Sequence, residues 1–87
     1  MTREELKQVV LAALGQIAPE ADPAAISATQ PLREQIDLDS MDFLNFVVGL
    51  NRRLGVEVPE GDYPQLSTLK GCVEYLAFRQ LGGSAAS

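Results

Sequence analysis

The stretch Ile36-Asp37-Leu38-Asp39-Ser40-Met41-Asp42-Phe43-Leu44 opens the helix around which the predicted fold is arranged. Asp39 is a favoured N-cap residue, and its carboxylate complements the positive end of a helix dipole. Asp42, three residues on, occupies the position of a capping-box partner, where glutamate or glutamine is usual. These residues predict a helix that begins at Ser40.

This helix, the second of the chain, carries more apolar residues than one buried face requires. It is predicted to end at Gly55, with Arg52 and Arg53 near the negative end of its dipole. One stripe at helical spacing makes a complete core face: Phe43, Phe46, Val47, Leu50 and Leu54. A second stripe, rotated away from the first, consists of Met41, Leu44 and Val48. Two alternatives follow: the helix is packed on several sides, or the second stripe is an exposed docking patch.

The rest of the chain predicts two further helices. Thr2 and Glu5 have capping-box spacing and predict a first helix over residues 3–17. Residues 18–38 lack helical periodicity and form a long loop, while residues 60–65 allow at most one turn of helix. Ser67 is predicted to cap a last helix that ends at Gly82. Its predicted buried face comprises Leu69, Cys72, Val73, Leu76 and Leu81.

These elements add up to an all-α fold, a small helical bundle with three main helices, one short helix or turn, and no convincing strand. A chain of 87 residues is expected to make one domain. Residues 1–81 are assigned to that domain, and residues 82–87, Gly-Gly-Ser-Ala-Ala-Ser, to a disordered C-terminal tail.

Composition excludes several classes of function. The net charge of −5 argues against nucleic-acid binding and suits partners with basic patches, although taken alone it indicates only a surface that keeps a small protein in solution. No apolar run is long enough to span a bilayer, and the N-terminal residues are polar, so a cytoplasmic location without membrane contact is expected. The one cysteine, Cys72, falls in the buried stripe of the last helix, where an inert core thiol is expected. No metal site is predicted.

The chemistry expected of Ser40 is that of a substrate. The chain contains no histidine, which removes the usual general base for a serine nucleophile, and neither Lys7 nor Lys70 sits in a catalytic motif. Autonomous catalysis is therefore not expected. Because Asp39 fills the cap position, the Ser40 hydroxyl should face solvent at the positive end of the helix, a suitable place for a phosphoester made by another enzyme.

The residues Asp39-Ser40-Met41, at the start of the second helix, resemble the D-S-L-type signature of acyl carrier proteins, and the resemblance extends over about residues 3–81. It implies a fold like theirs and a covalent 4′-phosphopantetheine cofactor, moved from coenzyme A to Ser40 by a phosphopantetheinyl transferase. The arm's thiol would carry acyl groups as thioesters between acyl-activating, acyltransferase or synthase enzymes. Asp39 would shape the attachment turn, and a monomer is expected.

The same resemblance assigns docking of partner enzymes to residues in the first half of the second helix. The expected docking residues are Met41, Asp42, Leu44, Asn45 and Val48. Carriers of fatty acid synthesis have an acid-rich second helix, whereas here Asn45 stands where they usually have glutamate, and Arg52 and Arg53 follow. Since such charges tune the choice of partner, a specialised, stand-alone carrier is favoured.

Two other functions stay open from the sequence. The chain could be a helical interaction module that docks a partner through the second helix and is never modified. It could also be a hydrolase that uses Ser40, which the missing base disfavours.

Overall fold

The computed structural model describes residues 2–86, with side chains described for residues 2–79. Four α-helices follow one another along the chain: α1 (Arg3–Ile17), α2 (Leu32–Gln35), α3 (Ser40–Leu54) and α4 (Leu69–Ala86). Two 3₁₀ helices, Pro23–Ala25 and Glu60–Leu66, lie in the connections. The predicted all-α bundle with three main helices is confirmed, since α1, α3 and α4 are the long elements.

Both predicted capping boxes are present. The Glu5 N–H donates to Thr2 Oγ1 at 3.1 Å, and the Thr2 N–H donates to Glu5 Oε1 at 2.8 Å. At the far end of α3, Gly55 adopts the left-handed conformation with φ of 67°, which a residue with a Cβ adopts only at a cost. The predicted bounds of α1 and α3 are therefore confirmed at both ends.

The core lies between the three long helices, where α1 packs against both α3 and α4. From α1 it takes Leu6, Val10, Leu11, Ala13 and Leu14. From α3 it takes Phe46, Val47 and Leu50, whereas Phe43 and Leu54 of the predicted stripe are only partly buried. From α4 it takes Leu69, Cys72, Val73 and Leu76 as predicted, and also Tyr75.

The first connection contains more helix than its sequence predicts. Asp22 caps the 3₁₀ turn at Pro23–Ala25, and α2 adds one further turn of helix. The Leu32 N–H donates to the Ser67 carbonyl at 2.8 Å, and the buried Leu32 side chain anchors the segment to the core. A four-residue helix held by contacts with the distant 3₁₀ helix leaves no periodicity in its own sequence.

Two predictions about the C-terminal third are wrong. The Glu60–Leu66 helix runs for seven residues rather than one turn at most. The cap of α4 is Thr68 and not Ser67, because Thr68 Oγ1 accepts the Gly71 N–H at 2.9 Å. Ser67 instead closes the preceding 3₁₀ helix, and its N–H donates to the Pro64 carbonyl at 3.3 Å.

The end of the chain differs from the expected end of the last helix. The backbone of α4 continues past Gly82 to Ala86. The predicted burial of Leu81 concerns a side chain outside the described ones. The predicted disordered tail, residues 82–87, also has no described side chains, and Ser87 lies outside the described residues altogether. None of the described helices is long and apolar enough to cross a membrane. The cytoplasmic location and the monomeric state stay predictions.

Candidate functional site

The start of α3 is held by a capping box of two aspartates. The Asp42 N–H donates to Asp39 Oδ1 at 2.8 Å, and the Asp39 N–H donates to Asp42 Oδ2 at 3.3 Å. Just upstream, Ile36 and Leu38 are buried and tie the approaching chain to the core. The turn before α3 is therefore fixed on one side by apolar burial and on the other by hydrogen bonds.

Ser40 is the first helical residue of α3, and it is exposed. Its hydroxyl is not needed as a cap, since Asp39 provides that hydrogen bond. Both nearby carboxylates accept backbone N–H groups of the capping box, so neither is directed to serve Ser40 as a base. The arrangement leaves an unactivated hydroxyl in solvent at the positive end of a helix.

An open pocket with a volume of about 530 Å³ lies directly beside Ser40. It is lined by Arg33, Ser40, Phe43, Leu44, Glu60, Tyr63, Pro64 and Ser67. The apolar part is built from the half-buried Phe43, whose ring meets the Tyr63 ring edge-on with centroids 5.6 Å apart. The pocket can therefore accept a mostly apolar group attached near Ser40.

Sequence reasoning did not identify this pocket. Its lining comes from α2, the start of α3 and the 3₁₀ helix Glu60–Leu66, which are distant in sequence. Nothing in the sequence singles out Arg33, although its Nε donates to the Leu38 carbonyl at 3.4 Å and so keeps its charge close to the start of α3. No spacing in the chain indicates that these segments meet.

The wall of the pocket that is formed by the 3₁₀ helix Glu60–Leu66 is attached to α4. The buried Tyr75 donates its hydroxyl proton to Asp62 Oδ2 at 2.6 Å, and burial, followed by this hydrogen bond, raises the pKa of Tyr75 to about 12. Gly71 allows the two segments to approach closely, since a Cβ there would stand 2.5 Å from the Gln65 carbonyl oxygen. The wall that contains Tyr63 is thus fixed relative to the bundle.

The second apolar stripe of α3 is exposed, so it is not packed inside the bundle, and its docking role stays a prediction. Met41 is 64% exposed, and Leu44 and Val48 are each 41% exposed. Asn45 lies on the same face and is exposed, while Asp42, at its edge, takes part in the cap and is partly buried. The five expected docking residues thus lie at or near one outward face that begins beside Ser40.

Cys72 lies in the core, as predicted. Its thiol donates to the Leu66 carbonyl at 3.4 Å, and burial raises its pKa to about 12. It is therefore far from reactive near neutral pH. Among the side chains that the structure describes, no group of three or more histidine, cysteine, aspartate or glutamate residues is placed to hold a metal ion.

Comparison with known protein families identifies this kind of site. The family model described as "Phosphopantetheine attachment site" matches residues 4–76, which covers the bundle and the start of α3. The chain belongs to the acyl carrier protein family. The cofactor of the family is 4′-phosphopantetheine, and acyl carrier proteins are carriers rather than enzymes.

Three relatives among acyl carrier proteins show how far the likeness extends. The protein of Renibacterium salmoninarum is 28% identical over 74 residues, covering 82% of this chain and 91% of the relative. That of Campylobacter hominis is 29% identical over 73 residues, covering 84% and 86%. That of Rhodococcus erythropolis is 28% identical over 88 residues, covering 98% and 92%. Nearly the whole of each carrier is matched.

The fold of an acyl carrier protein is also found among solved structures. The acyl carrier protein from Enterococcus faecalis superposes with a TM-score of 0.73, covering 87% of this chain and 95% of that one. At 24% sequence identity this match bears on the fold alone.

Proposed function

We propose that Ser40 is the residue to which 4′-phosphopantetheine is attached, and that the chain carries acyl or related intermediates as thioesters between partner enzymes. These enzymes would act in fatty acid, polyketide or other secondary-metabolite or lipid biosynthesis. A phosphopantetheinyl transferase supplies the arm from coenzyme A, and acyl-activating, acyltransferase or synthase enzymes use it. The chain itself catalyses no step.

The observation that carries this proposal is the position of the Ser40 hydroxyl. It is exposed, it stands at the first residue of α3, and the neighbouring Asp39 carboxylate has taken over the cap. A phosphodiester at this point gains from the positive end of the helix dipole. The matched family model spans Ser40, which supports attachment of the arm to this residue.

The surroundings of Ser40 fit the proposed group. The adjoining pocket of about 530 Å³ has room for an apolar chain, and Phe43, Leu44 and Tyr63 give it an apolar lining. Arg33 brings a positive charge to the same pocket, which would offset part of the negative charge of a phosphodiester. When bound, the arm supplies a thiol on which acyl groups are carried as thioesters.

Attachment needs a base from outside the chain. In the transfer, the Ser40 oxygen forms a new bond to the phosphorus that bears the pantetheine, the bond to the rest of coenzyme A breaks, and the hydroxyl proton leaves. The chain has no histidine, and Asp39 and Asp42 are engaged in the cap. The transferase must therefore accept that proton, so Ser40 acts as a substrate.

The outward face of α3 supplies the proposed docking contacts. Met41, Leu44 and Val48 offer exposed apolar surface that starts next to the attachment point. Asp42 and Asn45 add polar contacts, and the amide at Asn45 brings no negative charge there. Because charges at the rim of an interface tune the choice of partner, we assign this chain to a specialised, stand-alone carrier.

The proposal is tested by the intact mass of the protein after incubation with coenzyme A and a broad-specificity phosphopantetheinyl transferase. We expect the mass to rise by one phosphopantetheinyl group. Ser40→Ala should abolish the gain. Ser67→Ala is the matched control, because Ser67 is an exposed serine that lines the same pocket, and this variant should load as the wild type does.

Two results would overturn the assignment. If the wild type gains no mass, the exposed stripe of α3 favours an unmodified interaction module instead. If Ser40→Ala still gains mass, the arm is attached elsewhere.

A further inference from the structure

The exposed apolar stripe of α3 ends in a positive charge. Met41, Leu44, Val48 and Arg52 follow one another at i, i+3, i+7 and i+11, and all four are exposed. Eleven residues make three helical turns plus about 20°, so Arg52 lies almost in line with Met41 and roughly 17 Å further along the axis. Arg52 therefore belongs to the same outward face as the proposed docking residues.

Arg53, the next residue, points in a different direction. One further residue turns the helix by about 100°, so Arg53 lies on the flank of this face, in line with Asp42. Both arginines are exposed and lie in the last turn of α3, where positive charge is favourable because of the helix dipole. The dipole accounts equally for both arginines, whereas only Arg52 continues the apolar stripe.

Among residues 2–79, whose side chains are described, neither arginine side chain forms a hydrogen bond with another part of the bundle. The arginine side chains that form hydrogen bonds there are Arg33, with the Leu38 carbonyl, and Arg79, with the Glu57 carbonyl. The Asn51 carbonyl in the last turn of α3 is also not bound by an arginine, since it accepts the Gly55 N–H at 2.7 Å. The guanidinium of Arg52 is therefore available to a partner.

The charges of α3 are divided between its ends. Asp39 and Asp42 lie at the start beside Ser40, the neutral Asn45 follows, and Arg52 and Arg53 lie at the end. A partner that fits this face needs positive charge near the serine, an apolar centre, and negative charge at the far end. A partner with positive charge along the whole helix would meet repulsion at Arg52.

We propose that Arg52 is a specificity-determining contact, and that the enzymes which use the loaded protein place a carboxylate opposite it, about 18 Å along α3 from Ser40. This inference rests on the proposed function of Ser40 and extends it to the chemistry of the partner. It separates two arginines that the sequence alone treats as equivalent.

The test compares Arg52→Glu with Arg53→Glu. The probe is the acyl-transferring enzyme that turns over the loaded protein fastest in a screen of acyltransferases and carrier-dependent synthases. Both variants place the same charge in the same helical turn, so they should have equal effects on thermal stability. We expect Arg52→Glu to raise the KM for the carrier about tenfold at low salt and Arg53→Glu by less than about threefold, since charges at a rim act mainly on association.

Salt and charge exchange give two further readouts. The difference between the variants should shrink at about 0.5 M salt, because exposed charges are screened. Among acidic residues on the enzyme's docking face, one change to lysine should restore turnover of Arg52→Glu while impairing that of the wild type.

Equal effects of the two variants on KM, or the absence of any restoring change on the enzyme, would overturn the role of Arg52. The intact mass of each variant is measured first, so that full loading at Ser40 keeps this failure distinct from a failure of the attachment proposal.

Discussion

Helices α1 and α3 are matched in length and in the way they begin, yet they divide their residues between core and solvent differently. Each has 15 residues and starts with a capping box. Five residues of α1 are buried, against three of α3, and α3 leaves Met41, Leu44 and Val48 exposed. No large apolar residue of α1 is exposed to this degree.

The difference shows which apolar residues serve the fold. On α1 the apolar pattern is accounted for by burial against α3 and α4. On α3 the core stripe already supplies the fully buried residues, and the side chains of the second stripe stay 41–64% exposed within the described bundle. Exposed apolar surface often marks an interaction site, so the surplus on α3 supports the docking role proposed for it.

The largest expected effect separates the buried Cys72 thiol from the thiol of an arm attached to Ser40, at the start of α3. Because burial raises the pKa of Cys72 from 9.0 to about 12, its thiolate fraction near pH 8 falls about a thousandfold. We expect the unmodified protein to react very slowly with a thiol reagent until it is unfolded. After treatment with coenzyme A and transferase, one thiol should react at once.

The control for this measurement is Cys72→Ala. After the same treatment it should keep the fast thiol and lose the slow one. A fast thiol in the unmodified wild type would contradict the burial of Cys72.

The next effect contrasts buried with exposed positions on the two helices. Leu14→Ala on α1 and Leu50→Ala on α3 remove fully packed side chains, and each should lower the free energy of unfolding by about 2–5 kcal/mol. Met41→Ala, on the exposed face of α3, should change it by less than about 0.5 kcal/mol. Urea unfolding followed by circular dichroism measures all three.

A loss at Met41 as large as that at Leu50 would mean that the second stripe of α3 serves the fold. The distinction between the two faces would then fail.

A smaller effect is expected at the capping boxes, which the two helices share. Asp39→Ala and Thr2→Ala should each cost about 0.5–2 kcal/mol through loss of the cap. Ser40→Ala should cost much less, because the Ser40 hydroxyl does not take part in the cap. Thermal unfolding of the three variants gives the comparison, and a greater loss for Ser40→Ala than for Asp39→Ala would reverse the assignment of cap and acceptor.

The smallest effect concerns acid and the cap of α1. The hydrogen bond from the Thr2 backbone N–H, followed by that with the Thr2 side chain, lowers the pKa of Glu5 from its ordinary value of 4.5. The charge of Glu5 therefore adds stability above that value, and the contribution is lost as the pH falls through the lowered pKa.

Glu5→Gln removes this charge while keeping a residue that suits a capping box. We expect a slightly lower Tm than that of the wild type at about pH 7 and equal Tm values at about pH 2. Glu20→Gln, at an exposed loop position, is the control and should show no such convergence. A gap that persists in acid would contradict the charge effect.

The sequence predicted those parts of the fold that depend on local chemistry. The caps at Thr2 and Asp39 and the left-handed end at Gly55 are local, and they define α1 and α3 correctly. The short helix α2 was missed because it depends on tertiary contacts, among them the hydrogen bond from Leu32 to Ser67. Ser67 and Thr68 are both suitable caps, and only the end of the preceding 3₁₀ helix decides between them.

The candidate site was predicted only in part for the same reason. Ser40 and its cap lie within one short motif, so the sequence indicates them directly. The pocket is assembled from three segments, and neither Arg33 nor Tyr63 carries any local signal of its place in it. Whether the stripe of Met41 was exposed or packed also depended on where the other helices lie.

The most direct test of the central claim is to locate the arm by tandem mass spectrometry of a tryptic digest of the loaded protein. Cleavage after Arg33 and Arg52 releases residues 34–52, in which Ser40 is the only residue with a hydroxyl group. The account predicts that the phosphopantetheinyl group is found on this peptide. Its presence on the peptide that contains Ser67, or on the one that contains Ser27, would contradict it.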